Sequence, residues 1–139
     1  MKFENFAYRR LNAYIEAKSL TILVYGTLKK FPKEETYALC DQLIRAVVSI
    51  PSNIAEGCSR SSIKEQIHFI EIAYGSLNET LCQLEIAREL GYITQMELME
   101  IEKQAQKVGA LLWGLRKSKK TIRHDCLYDV GFVATRGLE

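Results

Sequence analysis

From Ile63 to Leu84 the chain carries Ile63, Ile67, Ile70, Tyr74, Leu77, Leu81 and Leu84 at alternating spacings of four and three. That period winds an apolar seam along an α-helix and excludes a strand, whose faces alternate at every second residue. Both ends of the segment are marked. Ser62-Ile63-Lys64-Glu65 is a capping box, in which the serine accepts from the backbone three residues on and the glutamate reaches back. Gly91 supplies the glycine with which helices commonly stop.

Three more segments repeat the pattern. In the first, about residues 8–30, Leu11, Ile15, Ile22 and Tyr25 form one stripe, with Ala13, Ala17, Leu20, Val24 and Leu28 beside it. Two stripes make a wide apolar face, suited to more than one neighbour. The second segment is expected to open at Pro32, in the first helical position, with Glu34 and Glu35 in its first turn. It continues through Leu39, Cys40, Leu43, Ile44, Val47, Val48, Ile50 and Ile54 toward Gly57, with a kink expected at Pro51. In the last, Thr94-Gln95-Met96-Glu97 is a second capping box, followed by the seam Ile101, Ala105, Val108, Leu112 and Leu115. Leu98, Leu111 and Trp113 lie beside that seam, which fades into Arg116-Lys117-Ser118-Lys119-Lys120.

Four long helices with short connections predict an all-α, antiparallel up-down-up-down four-helix bundle over residues 1–120. Residues 121–139 show no helical period, so a tail is expected there: disordered, a partner contact or in part appended sequence, since Leu138-Glu139 has the form of a tag junction. Only two prolines and eight glycines interrupt the chain, in keeping with long helices. No apolar run approaches the roughly 20 residues of a membrane span. With no signal-peptide pattern at Met1-Lys2-Phe3, no membrane partner and a cytoplasmic location are expected.

Cys40, Cys58, Cys82 and Cys126 form no C-x-x-C pair, and His68 and His124 add no ligand spacing, so neither a metal nor a cofactor is expected. Cys40 and Cys82 fall within apolar helical patterns and read as buried, reduced thiols.

Net charge is +2, unevenly distributed. Residues 1–30 carry six basic and two acidic groups, residues 91–120 six and three, and residues 61–90 two and five. Up-down topology would gather Arg9, Arg10, Arg60, Lys64, Arg116, Lys117, Lys119 and Lys120 at one end. Lys29, Lys30 and Lys33 would gather at the other, diluted by Glu34 and Glu35. The first cluster suits phosphate binding. Helix dipoles and solubility also favour cations at such positions, so solvation stands as an alternative. With no groove-reading motif, binding would be backbone-directed.

The second helix also carries a polar stripe, Arg45, Ser49, Asn53, Glu56 and Arg60, with Ser76 and Glu79 of the third as candidate partners. A catalytic reading lacks a histidine near Ser49 and leaves only a speculative Glu56–Glu79 acid/base pair. Arg60 and His68 are eight apart, which does not match the arginine–histidine spacing of helical ribonucleases. No catalytic residue is assigned. A structural or interface role asks less: Arg45 and Arg60 pairing with Glu56 or Glu79, and Ser49 and Asn53 serving backbone groups freed by Pro51.

The same stretch resembles the four-helix bundle family encoded by intervening sequences of bacterial 23S rRNA genes, also called the S23 ribosomal protein family. The resemblance lies in Phe31-Pro32, Glu35, Tyr37-Ala38-Leu39, Gln42-Leu43, Arg45-Ala46, Ser49-Ile50-Pro51, Asn53-Ile54-Ala55-Glu56-Gly57 and Arg60. It continues with Phe69, Ala73, Gly75-Ser76-Leu77, Glu79, Gln83-Leu84 and Ala87, and spans about residues 6–117. It implies a bundle assembling into a ring-like homopentamer, similar to the accessory variability protein of diversity-generating retroelements. That relative engages nucleic acid and a reverse transcriptase. Three functions are therefore weighed: a homo-oligomer bound to RNA or DNA, a protein scaffold for a partner such as a reverse transcriptase, and an enzyme acting on RNA.

Overall fold

A computed structural model describes the backbone of residues 6–136 and the side chains of residues 6–121. A short 3-10 turn, Ala7–Arg10, leads into α1, Asn12–Leu28, and a second, Lys33–Glu35, precedes α2, Leu39–Cys58. The long helices α3, Ile63–Glu89, and α4, Gln95–Arg136, follow. The predicted all-α bundle of four helices is present. Where a tail without helical period was expected from residue 121, the backbone continues as α4 to Arg136; the side chains past Thr121 lie outside the described residues.

Each helix packs on two others, α1 on α2 and α4, and α3 on α2 and α4. Where two contacts join a pair, they run in opposite senses: Glu16 meets Gln104 and Lys30 meets Glu97, Ser49 meets Ser76 and Gly57 faces Phe69, and Glu71 meets Arg116 while Leu77 faces Gly109. Between α1 and α2, Thr21 meets Val47. The core is one continuous cluster in which Leu20, Leu43, Val47, Ile50, Leu84, Ile101, Val108 and Leu112 are fully enclosed.

The helix ends follow the sequence signals closely. The Ser62 hydroxyl accepts from the Glu65 N–H at 3.1 Å. At Thr94 the box is reciprocal, Glu97 N–H to Thr94 Oγ1 and Thr94 N–H to Glu97 Oε2, both 3.2 Å. Gly91 adopts φ +80°, while its own N–H reaches Arg88 O at 3.0 Å and that of Tyr92 reaches Ala87 O at 2.9 Å. This closing loop needs a left-handed residue, which glycine supplies without strain.

Helix 2 opens later than expected. Pro32 is extended, and α2 begins only at Leu39. The reason is Glu35. Its carboxylate accepts the Leu39 N–H at 3.2 Å and the Tyr92 hydroxyl at 3.1 Å, capping α2 from outside and tying it to the α3–α4 connection. Phe31 is buried against the Tyr92 ring, 5.3 Å between centroids.

Pro51 lies within α2 without ending it. Its missing N–H would have served Val47 O. The group nearest this carbonyl is Thr21 Oγ1 of α1, at 3.3 Å, whose single proton is shared with Ala17 O at 2.8 Å. Ser49 and Asn53, expected in that role, bond elsewhere.

On α1 the stripe Ala13, Ala17, Leu20 and Val24 is buried, but Ile15, Ile22 and Tyr25 remain on the outside. On α3 the buried face includes Ala73, Ser76, Thr80, Gln83 and Ala87, whereas Tyr74 of the predicted seam is exposed. Ser76 meets Ser49 of α2, and Leu77 lies against α4 at Gly109. Cys82, expected inside, is exposed, while Cys40 is buried. Burial, followed by the Glu35 charge, pushes the Cys40 thiol up.

Candidate nucleic-acid interface

The start of α1, the end of α2, the start of α3 and the middle of α4 border a small cavity of about 80 Å³, walled by Leu11, Ile54, Gly57, Cys58, Gln66, Ile70, Leu115 and Lys119. Gly57 leaves little room for a side chain there. A Cβ on it would come within 3.0 Å of Phe69 Cβ and 3.5 Å of Gln66 O. The Gln66 side-chain amide donates to Arg60 O at 2.8 Å, closing the α2–α3 connection across this approach.

The sequence-predicted cations divide by partner. Arg60 is ion-paired with Glu56 one turn back, and its guanidinium lies 4.8 Å over the Phe69 ring. Arg116 is held by Glu71, with Nε at 2.9 Å and Nη2 at 2.8 Å from one carboxylate oxygen, and sits 5.8 Å over Trp113. Arg9 stacks on Phe6 at 4.8 Å. Arg10 follows Arg9 in the last turn of the first 3-10 helix, which packs against α1 and α2. Lys64, Lys117 and Lys120 are exposed. Lys119 is half-buried at the cavity wall, where its charge opposes the upward push that desolvation gives the Cys58 thiol. Among the described residues no carboxylate is ion-paired with Lys64, Lys117, Lys119 or Lys120.

The polar stripe is a seam between α2 and α3. Ser49 and Ser76 hydroxyls are 2.9 Å apart, and Asn53 Nδ2 donates to Ser49 Oγ at 2.8 Å and Ser49 O at 2.7 Å. Ser76 O accepts from the fully buried Thr80 hydroxyl at 2.8 Å, and Glu79 accepts from Gln83 at 3.2 Å. Arg45 does not join this seam. It reaches Asp41 instead, at 3.1 Å on the exposed side of α2. Glu56 is engaged by Arg60, and Glu79 by Gln83. Gln83 Oε1 is buried without a partner among the described residues.

At the opposite end Lys30 binds Glu97, tying the end of α1 to the start of α4. The Lys30 ammonium, then the Thr94 N–H, holds the Glu97 carboxyl below the usual carboxylate range. Among the described residues no group of histidine, cysteine and carboxylate side chains is placed to hold a metal ion. No helix among them is long and apolar enough to cross a membrane.

One feature of this end was not singled out by the sequence. A groove of about 280 Å³ between α3 and α4 is lined by Ile70, Glu71, Tyr74, Leu112, Trp113 and Arg116. The seam pattern assigned Tyr74 to the core and left Trp113 beside it. The usable signal was the spacing of Trp113, Arg116, Lys117 and Lys120, which share one helix face.

No curated protein matches the chain. A crystal structure of a protein of unknown function from the S23 ribosomal protein family of Bacteroides thetaiotaomicron VPI-5482 has the same fold. It superposes with a TM-score of 0.67 at 24% identity, over 76% of this chain and 98% of that one. The family model of the 23S rRNA-intervening sequence protein matches residues 9–114, so this chain belongs to that family.

Proposed function

We propose that this chain is a non-catalytic, homo-oligomeric bundle that binds the backbone of RNA or DNA through its basic end. The reading is supported by Lys119 in the cavity wall shared with the end of α2 and the start of α3, by the exposed Lys64 on α3 and Lys117 and Lys120 on α4, and by Arg60 and Arg116 already paired with carboxylates. Cations that have no ion-pair partner among the described residues contribute a local positive field on a chain whose net charge is only +2. Self-association is supported by Ile15, Ile22 and Tyr25, which leave an apolar stripe on the outside of α1. A pentamer is the assembly that the family resemblance suggests.

A second reading, a scaffold for a protein such as a reverse transcriptase, is favoured by the outer face of α3, where Ile72, Ile86 and Leu90 are exposed. Size exclusion with light scattering, with and without a structured RNA and a duplex DNA, tests the first reading. A multiple of 15.9 kDa that gains mass with nucleic acid at low salt is expected. A 15.9 kDa monomer, unchanged by either nucleic acid, would overturn it. An oligomer that captures protein after nuclease treatment but binds neither nucleic acid would favour the scaffold.

A further inference from the structure

Resting on the nucleic-acid reading above, we propose that the groove around Trp113 is a stacking site for an unpaired base of single-stranded nucleic acid, with Lys117 and Lys120 holding the adjoining phosphates. Trp113 is 60% exposed and Tyr74 43% exposed, although large aromatic side chains ordinarily contribute to the core. Both line the same α3–α4 groove. Tyr74 is laid across α4 at Gly109: a Cβ there would come within 3.9 Å of Tyr74 Cε2. Gly109 and Trp113 are one helical turn apart, so two aromatic rings flank one open slot. At about 280 Å³ the groove lies at the small end of ligand sites, the scale of a single base.

The charge around the slot fits a nucleotide rather than an apolar segment. The face of α4 that runs on from Trp113 carries Arg116, Lys117, Lys120 and Thr121. Trp113 is therefore the wall shared by an aromatic slot and a basic track. Glu71 fixes Arg116 as a planar cationic wall over the indole and occupies the guanidinium edge that a phosphate would otherwise take. The phosphate charge falls to Lys117 and Lys120, which lie four and seven residues beyond Trp113 on the same face. Aromatic platforms beside a basic track are how proteins hold single strands without reading sequence. A duplex offers no free base face to such a slot.

Trp113 is the sole tryptophan, so its emission reports on this groove alone. The full chain is titrated at low salt with a labelled single-stranded RNA dodecamer and, separately, with its duplex. Anisotropy reports binding and tryptophan emission reports the slot. Quenching that saturates with single-strand binding, and is absent with the duplex, is expected. Trp113→Ala should weaken single-strand binding about 5- to 150-fold, the span of a lost base–aromatic stack, and leave duplex binding unchanged. Trp113→Phe should recover most of the loss, and far-UV circular dichroism verifies that both variants stay folded.

Single-strand binding with unchanged Trp113 emission, or with Trp113→Ala at full affinity, would overturn the site and leave the basic-end reading standing. Emission that shifts with protein concentration alone would place a second copy in the groove and overturn it too. Absence of anisotropy change with either nucleic acid would remove both proposals.

Discussion

Replacing Gly57 by alanine puts a methyl group between α2 and α3 beside the basic end. The new Cβ would stand 3.0 Å from Phe69 Cβ and 3.5 Å from Gln66 O. Carbon atoms in contact prefer about 3.5–4.0 Å, so the helices must part by a few tenths of an ångström. Phe69 Cβ is anchored to its own backbone and cannot swing away. Overpacking of this kind costs about 1–3 kcal/mol. Alanine is also the better helix former, by up to about 1 kcal/mol, with less to gain near the helix end. The net expectation is a loss of about 1–2 kcal/mol.

Gly26 provides the control. It sits two residues before the end of α1, and a Cβ there meets nothing within 4 Å. Gly26→Ala should therefore stabilise by up to about 1 kcal/mol. Urea unfolding of both variants at one protein concentration measures the two shifts with opposite sign. Equal stabilisation by both substitutions would refute the close approach of α2 to Phe69.

The Glu97 carboxyl is held low in the folded chain, so the native state binds fewer protons than the unfolded one. Its contribution is complete above the ordinary carboxylate pKa and is lost as pH falls through the lowered one. The stability gap between the protein and Glu97→Gln, followed by thermal melts, should be constant from neutral pH to about pH 5 and close in more acid solution. Thr21→Val removes the hydroxyl near the carbonyl that Pro51 leaves without an N–H, and should cost about 1 kcal/mol by urea unfolding. In a Pro51→Ala background, which restores the missing donor, the same substitution should cost less; an equal loss would count against that role for Thr21.

Much of the architecture was legible because local rules and tertiary packing agree. Ser62, Thr94 and Gly91 act through backbone groups within a few residues, so their motifs carry over directly into geometry. Pro32 misled because a residue that suits a helix start also suits an extended one, and the decision fell to Glu35 and Tyr92, 57 residues apart. The α3 seam misassigned Tyr74 because hydropathy scores a serine as surface. Ser76 is buried since it meets Ser49 across a close helix pair, and that meeting belongs to neither helix alone. The cations were legible as a set through topology. Their division into paired and unpaired was not, because Glu71 and Arg116 are 45 residues apart.

The salt dependence of nucleic-acid binding tests the central claim most directly. If Lys64, Lys117, Lys119 and Lys120 each neutralise one phosphate of a single strand, log K against log salt should fall with a slope near ~−3 per engaged subunit. Reversing Lys117 and Lys120 to glutamate should weaken binding and flatten that slope by more than one. Binding that is indifferent to salt, or a slope unchanged by the reversal, would contradict a phosphate-binding basic end.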